Sequence, residues 1–357
     1  MVAQRSVREQ SLRLAKAFGR ESSSLAPRED RCRARNPSQR SGRLHRSESR
    51  RPIQARTLQI LILEKVIIIG WGRMGITHAS ILGGLYPNRF NFQIVEPNKK
   101  IRKLLTKSLG YECFASVDEV NFDHAHVIIT TPPSIHSLLV QKSITAGAKN
   151  IFVEKPFGIF DNRVENDSKI KVGYVLRFSE VAQRLKQIIT EEGCLEFSLD
   201  YSSNTLEKKP VGWRNGPYGG VTNEMGSHLI DLILYLLDTD NIHIDSKYIE
   251  SVVSDVDDIV SFKGKCGSTP VSLSLNWVNK EYRKPVWSGI LVTNKRTILF
   301  DQQSLSCGFD PIEVNYYVRG RDFSLQMSHF IEDYTTIFCD SIQANRVHDI
   351  ISSLKND

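Results

Sequence analysis

The sequence predicts an α/β fold with a parallel sheet in its first half and a strand-rich sheet domain in its second, on three observations. A short apolar strand, residues 65–69, runs into glycines at 70, 72 and 75, with a helix-compatible run over 73–82 directly behind it. From there to Pro156 strands and helices alternate, which is the pattern of a parallel sheet with crossover helices. After residue 190 the runs LEFSLDYS, IVSFKGKC, VSLSLNWV, WSGILVTN and RTILFD alternate apolar and polar residues between turn signals, and read as successive strands of one sheet.

The first strand leads into Gly70, Gly72 and Gly75 in the spacing G-x-G-x-x-G. Gly70 permits a tight turn, Gly72 lets backbone approach a pyrophosphate, and Gly75 lets the helix pack on the strand with its first N–H groups facing the anion. With a strand before it and a helix after it, the loop is expected to cradle a dinucleotide through Gly70, Gly72, Arg73, Met74 and Gly75. The next strand, 92–96, ends in Glu96, twenty-one residues after Gly75. A carboxylate there accepts hydrogen bonds from ribose hydroxyls and repels a 2′-phosphate, which favours NAD over NADP, although Lys99 and Lys100 follow closely.

A helix is expected over 98–109, a short strand near 112–115, and a strand over 126–130 that opens into Thr131, Pro132 and Pro133. Neither proline can donate to a ladder, so the strand stops abruptly. Its loop stands at the carboxyl edge of the sheet, where dinucleotides lie, and this assigns Thr131, Pro132 and His136 to the cofactor. A lone histidine in the first turn of the helix 134–146 is also a common structural one. The strand NIFVEKP ends at the same edge in Glu154, Lys155 and Pro156. Lys155 is thus a positioned cation beside the expected nicotinamide, with Glu154 next to it at the cofactor.

In this order GWGRMG, the strand-end acid, TPPSIH, VEKP, VGYVLRF (172–178), GWRNGPYGG (212–220) and EMGSHLID (224–231) resemble the glucose–fructose oxidoreductase and inositol dehydrogenase (Gfo/Idh/MocA) family of NAD(P)-dependent oxidoreductases, over about residues 64–340. The resemblance implies a Rossmann domain followed by an α+β domain whose open, largely antiparallel sheet joins copies into a homo-oligomer. It also implies an NAD-dependent dehydrogenase acting on the CH–OH group of a sugar, cyclitol or nucleotide sugar.

Hydride transfer from a secondary alcohol needs a base for the hydroxyl proton, near-neutral in pKa and within hydrogen-bond reach. In family members that carry it, the histidine of the last motif is the usual acid/base. The resemblance therefore gives that role to His228, with Lys155 stabilising oxyanion charge and Glu224 as the orienting acid. On a helix over 224–237, Glu224, His228 and Asp231 share one face. Asp231 reads as structural, while Arg177, Trp213, Arg214 and Asn223 are expected around the substrate.

Two departures stand out. The family usually has Asp where this chain has Glu224, and the extra methylene moves the carboxylate where small misplacements are costly. Only fifteen residues, 157–171, connect Pro156 to the next strand, which is short for a full crossover helix. Both motivate an alternative: a non-catalytic NAD(P)-binding regulator or scaffold of the same fold.

The net charge of +7 is unevenly spread. Residues 1–60 hold 15 Lys and Arg against 5 Asp and Glu, so the other 297 residues sum to −3. A near-neutral body does not point to a nucleic-acid-binding core. Six cysteines are scattered without a C-x-x-C pair, so neither a zinc site nor a disulfide framework is indicated, and a reducing, cytoplasmic compartment is the simpler reading. The apolar run 58–70 is interrupted by Glu64 and Lys65 and is too short to span a bilayer.

The Arg- and Ser-rich residues 1–60 are expected to be disordered apart from a short helix near 7–18. An organelle transit peptide is left open for them, with Glu9, Glu21, Glu29, Asp30 and Glu48 counting against it. A nucleic-acid-binding tail is also open, and so is a translation start near Leu61 or Leu63, because no Met lies between Met1 and Met74. The expected domains are then the extension 1–60, a nucleotide-binding domain over 61–172 and an α+β domain over 173–357.

Overall fold

The computed structural model describes residues 63–157, 167–314, 320–334 and 336–355. The basic extension 1–60 and residues 158–166 of the connection after Pro156 lie outside the described residues.

The run EKVIII forms β1 (Glu64–Ile69), whose last four residues are 0–3% exposed. A strand covered on both faces needs apolar side chains pointing both ways, which is why this run does not alternate. β2 (Phe90–Val95), β3 (Glu112–Phe114), β4 (His126–Ile129), β5 (Asn150–Val153) and β6 (Ile170–Val172) complete a parallel sheet in the order β3-β2-β1-β4-β5-β6. The order reverses between β1 and β4, so the loops leaving those two strands open a crevice at the carboxyl edge.

Three helices link these strands: α1 (Arg73–Leu85), α2 (Lys99–Leu109) and α3 (His136–Thr145). Asn98 caps α2 by accepting from the N–H groups of Lys100 and Ile101 at 2.9 and 3.4 Å, and Gly110 at φ 68° ends it. A 3₁₀ turn, Pro133–Ile135, precedes α3 and takes up what the sequence suggested as the helix start.

After β6 the chain builds α4 (Glu180–Glu192), β7 (Glu196–Ser202), α5 (Ser227–Leu237), and then β8 (His243–Glu250), β9 (Ile259–Cys266), β10 (Thr269–Asn276), β11 (Val286–Val292), β12 (Thr297–Asp301), β13 (Leu305–Cys307) and β14 (Asp310–Ile312). These strands form an eight-stranded sheet in the order β14-β13-β12-β11-β7-β10-β9-β8. It is antiparallel throughout except where β7 meets β10. Phe197, Leu199 and Tyr201 of β7 point to the core, and alternate residues such as Ser198 and Asp200 point away from it, as the alternation in sequence predicts.

Two helices close the chain, α6 (Arg321–Ile331) and α7 (Ser341–Lys355). α7 packs on α5 and β6, whereas α6 packs on α1 of the nucleotide-binding half. Met327, Phe330 and Ile331 of α6 are buried in one cluster with Val66 and Ile68 of β1, Leu82 of α1 and Phe152 of β5. A division of the chain at residue 172 assigns α6 to the second half, yet its apolar face completes the core of the first.

Candidate active site

The structure shows why Gly70 and Gly75 are glycines. Gly70 has φ +96°, and Gly75 lies so close to the loop that a Cβ there would fall 2.2 Å from the Gly70 carbonyl oxygen. A Cβ at Gly72, in contrast, would meet nothing within 4 Å. Gly72 is the N-cap of α1 and no side chain satisfies the first N–H groups of that helix, so they face open space. Arg73 and Met74 form the first turn beside it, with Arg73 exposed.

Glu96, just past β2, locks the loop from the other side. Its Oε2 accepts from the Trp71 N–H at 3.2 Å and its Oε1 from the Asn98 N–H at 2.8 Å. Across the crevice the Thr131 hydroxyl oxygen is buried without a partner in the chain. Open space over Gly72, unpartnered helix N–H groups, a strand-end carboxylate and an orphaned hydroxyl together fit a dinucleotide, which would lie along Gly70–Gly75, Glu96, Thr131 and Pro132.

His136 corrects the sequence expectation. It is buried, with Nε2 2.8 Å from the Thr131 carbonyl oxygen and Nδ1 3.1 Å from that of Pro156. Both nitrogens lie against backbone carbonyls, one on the loop after β4 and one on the loop after β5, and the neutral ring donates to one of the two, so the imidazole is turned into the protein. Burial pushes its imidazole below the ordinary range, against the two carbonyls that favour the protonated form.

The loop after β5 carries Glu154 and Lys155, and the Lys155–Pro156 peptide is cis. Glu154 Oε1 lies 2.7 Å from His78 Nε2. Lys155 Nζ donates to the Glu224 backbone oxygen at 2.5 Å. Burial holds this ammonium below its ordinary value, opposed by the nearby carboxylates of Glu154 and Glu224, while Arg214 and Arg73 push it further down.

Glu224 does not begin an α-helix. Residues Thr222–Gly226 form a π turn, and α5 starts only at Ser227. The i→i+5 winding rotates Glu224 away from the face that α-helical spacing assigns it, and such turns frequently occur at functional sites. The expected trio therefore splits. The Glu224 carboxylate meets Arg214 Nε at 3.3 Å. His228 packs edge-on against Tyr174 at 5.8 Å, is 9% exposed, and has its Nδ1 buried without a partner. Burial, with Lys155 adding to it, holds His228 well below its ordinary value. Asp231 is fully buried on Arg177.

Two substrate assignments are corrected by these partners. Arg177 donates Nε and Nη2 to Asp231 at 2.9 and 2.6 Å, and Nη1 to Gln343 at 3.0 Å and to the Ile337 carbonyl. Burial works against its charge, but Asp231 outweighs that and keeps it protonated; with its donors engaged inside the protein, it is a structural cation. Asn223 is 4% exposed and its amide donates to the Pro217 and Gly219 carbonyls, which anchors that loop. Trp213 and Arg214 remain at the opening, partly exposed, with the guanidinium 5.4 Å from the Trp213 ring centre.

Sequence reasoning passed over Asp257 and Lys355. Asp257 Oδ2 accepts from the Thr222 N–H at 2.7 Å, its backbone oxygen accepts from Val221, and Lys355 of α7 pairs with its carboxylate at 2.7 Å. Together they hold the entry to the π turn; an acid in a loop and a lysine near the chain's end carry no motif. Among the described residues no cluster of His, Cys, Asp or Glu could hold a metal ion, and no helix is long and apolar enough to cross a membrane.

Residues 64–166 match the model of an oxidoreductase family with an NAD-binding Rossmann fold, GFO_IDH_MocA. Glucose-6-phosphate 3-dehydrogenase of Bacillus subtilis is 24% identical over 194 residues, half of this chain and 55% of that one. An uncharacterized oxidoreductase of Schizosaccharomyces pombe, C115.03, is 28% identical over 32% of this chain and 34% of its own. The matches thus span about half or less of these relatives. Among solved structures, levoglucosan dehydrogenase in complex with NADH and levoglucosan has a TM-score of 0.70 at 16% identity, covering 82% of this chain and 96% of that one. UDP-N-acetylglucosamine 3-dehydrogenase of Acidithiobacillus ferrooxidans has a TM-score of 0.64 at 17% identity, covering 82% and 97%. At such identities the likeness is one of fold, and it extends over both sheets. Residues 64–166 thus resemble the NAD-binding domain of the Gfo/Idh/MocA family, and beyond them the likeness is one of fold.

Proposed function

We propose that the protein is an NAD-dependent oxidoreductase that transfers hydride between nicotinamide and a hydroxyl-bearing carbon of a sugar, cyclitol or nucleotide sugar. The observation that carries this reading is the convergence of Lys155, from the end of β5, with His228, from the first turn of α5, at the sheet edge that also bears the glycine loop. Glu96 supports NAD over NADP, since its carboxylate stands where a 2′-phosphate would be repelled. The names of the relatives, sugar dehydrogenases among them, support the substrate class. Association of copies through the eight-stranded sheet is part of the same proposal.

A dinucleotide held along Gly70–Gly75, Glu96 and Thr131 would supply the nicotinamide as hydride acceptor. His228 is neutral because burial disfavours its charge, so it can accept the hydroxyl proton as the C=O bond forms, and return it in the reverse direction. Lys155 has three N–H donors and uses one on the Glu224 carbonyl, which leaves others for the substrate oxygen as it gains negative charge. The Glu224–Arg214 pair sets the wall next to that oxygen.

NAD(H) is expected to raise the melting temperature, alone and with members of polyol and sugar-nucleotide panels. His228→Ala should lose turnover while binding NADH as the wild type does. If both proteins bind NADH equally and neither turns over any panel member, the enzymatic reading fails. A regulator of the same fold is favoured by one feature: the Glu224 carboxylate is engaged by Arg214 rather than by His228. Glu224→Asp separates the two readings, because the rate of an enzyme changes and a regulator shows no rate to change.

A further inference from the structure

His78 is the buried titratable group for which the chemistry above has no use. It lies on the face of α1 that turns Gly75, Ala79 and Leu82 to the sheet, and it is 0% exposed. Its ring packs edge-on against Phe152 at 5.0 Å and lies 6.3 Å from Phe323, which leaves it little freedom to turn. Nε2 is 2.7 Å from Glu154 Oε1, while Nδ1 is buried without a partner. The tautomer with its proton on Nε2 satisfies both groups, because it donates to the carboxylate and leaves only a lone pair unmatched.

Glu154 is held equally closely from its other sides. Its N–H donates to the Ile129 carbonyl at 2.9 Å. A Cβ at Gly173 would come within 3.3 Å of its Oε2 and 3.0 Å of Phe152 Cζ, so the carboxylate and the Phe152 ring pack closely against the backbone there. The next residue is Lys155. The charges that face its ammonium are Glu154 on its own loop, Glu224 from the π turn, Arg214 from the loop before it, Arg73 from α1 and the His228 ring from α5. Of these, Glu154 is the leading group that favours the charged lysine.

We propose that His78 is a positioning residue that acts on Lys155 through Glu154. The proposal rests on the functional reading above, in which the Lys155 ammonium meets the substrate oxygen. Without the imidazole N–H, a mostly buried carboxylate loses its donor, and it either turns away or takes up a proton. Either response removes negative charge from beside Lys155, whose ammonium then gives up its proton at lower pH. The link also joins the helix of the glycine cradle to the loop that carries the chemistry.

The full-length wild type, His78→Leu, His78→Gln and Glu154→Gln are compared. Lysines are ¹³C-methylated and the Lys155 signal, assigned by its absence in Lys155→Arg, is titrated by NMR. Steady-state constants and NADH affinity are measured in parallel. His78→Leu and Glu154→Gln should move the Lys155 titration to lower pH and cut kcat by about ten- to a hundredfold, with the NADH affinity of His78→Leu within about threefold of wild type. His78→Gln, whose Nε2 can donate the same bond, should stay near wild type in both. Identical Lys155 titrations in the wild type and His78→Leu overturn the proposal, as does a shift in His78→Leu that Glu154→Gln lacks. Should His78→Leu fail to fold, Glu154→Gln against His78→Gln decides. If the wild type turns over nothing, the functional reading falls on its own, and the titration still tests the link from His78 to Lys155.

Discussion

Burial of two side chains sets the expected pH dependence. His228 is held well below its ordinary 6.5, by burial first and by Lys155 second. Lys155 is held below its ordinary 10.5, again by burial first. In the oxidative direction catalysis needs the histidine neutral and the lysine charged. kcat/KM should therefore rise with pH through a midpoint below 6.5 and fall through a midpoint below 10.5; an acid limb at 6.5 or above would exclude His228 as the base. The same shift makes stability decline as pH drops below 6.5, since the unfolded chain then binds a proton that the native state refuses. The placement of Lys155 at a strand end and of His228 at a helix start was legible in sequence because the signal for each is local. Arg177, Asn223 and His136 were misjudged because what decides their role is a partner. The Asp231 that neutralises Arg177 lies 54 residues away, and the carbonyls that occupy His136 belong to loops whose contact no pattern encodes.

Among the elements, the parallel strands were readable because burial on both faces leaves continuous apolar runs, and the second sheet because one-sided burial leaves alternation. The π turn at Thr222–Gly226 was not, because nothing in its composition separates it from the first turn of an α-helix; Asp257, 35 residues on, fixes it by accepting the Thr222 N–H. β1 also depends on a polar clasp at its start. Glu64 accepts from Arg89 at 2.7 Å and pairs with His126 at 3.0 Å, and Arg89 continues to Glu332 at 2.5 Å beyond α6. Burial alone would raise the Glu64 carboxyl, but the hydrogen bonds from Arg89 and His126 prevail and bring it from 4.5 to about 2. A shift of that size corresponds to about 3 kcal/mol, which solvent screening of a side chain 33% exposed reduces to about 1–2 kcal/mol. Glu64→Gln should lose that amount in urea unfolding at about pH 7. The depressed value means that the contribution is present above 4.5 and is lost as pH falls toward about 2, so the two proteins should converge there; a gap that persists undiminished would mean the clasp acts by shape rather than charge.

Residues from Ile60 onward behave as one compact unit although they contain two sheets, and α6 supplies a physical reason. Its Met327, Phe330 and Ile331 close the face of the parallel sheet that carries Val66, Ile68 and Phe152, while α7 returns to β6 and α5 and sends Lys355 to Asp257. Three buried side chains at about 1.5–3 kcal/mol each are comparable with the whole net stability of an ordinary domain, so the nucleotide-binding half is incomplete without chain that follows the second sheet. Unfolding should then be cooperative across both halves. Variants that retain only Trp71, beside the glycine loop, or only Trp287, in β11, report on each half separately. Phe330→Ala opens a cavity under the parallel sheet and should cost about 3–5 kcal/mol. If the halves are coupled, it lowers the urea midpoint seen by Trp287 as much as the one seen by Trp71; if they were independent, only the Trp71 transition would move. A split of more than about 0.5 M between the two midpoints in the variant would contradict the coupling.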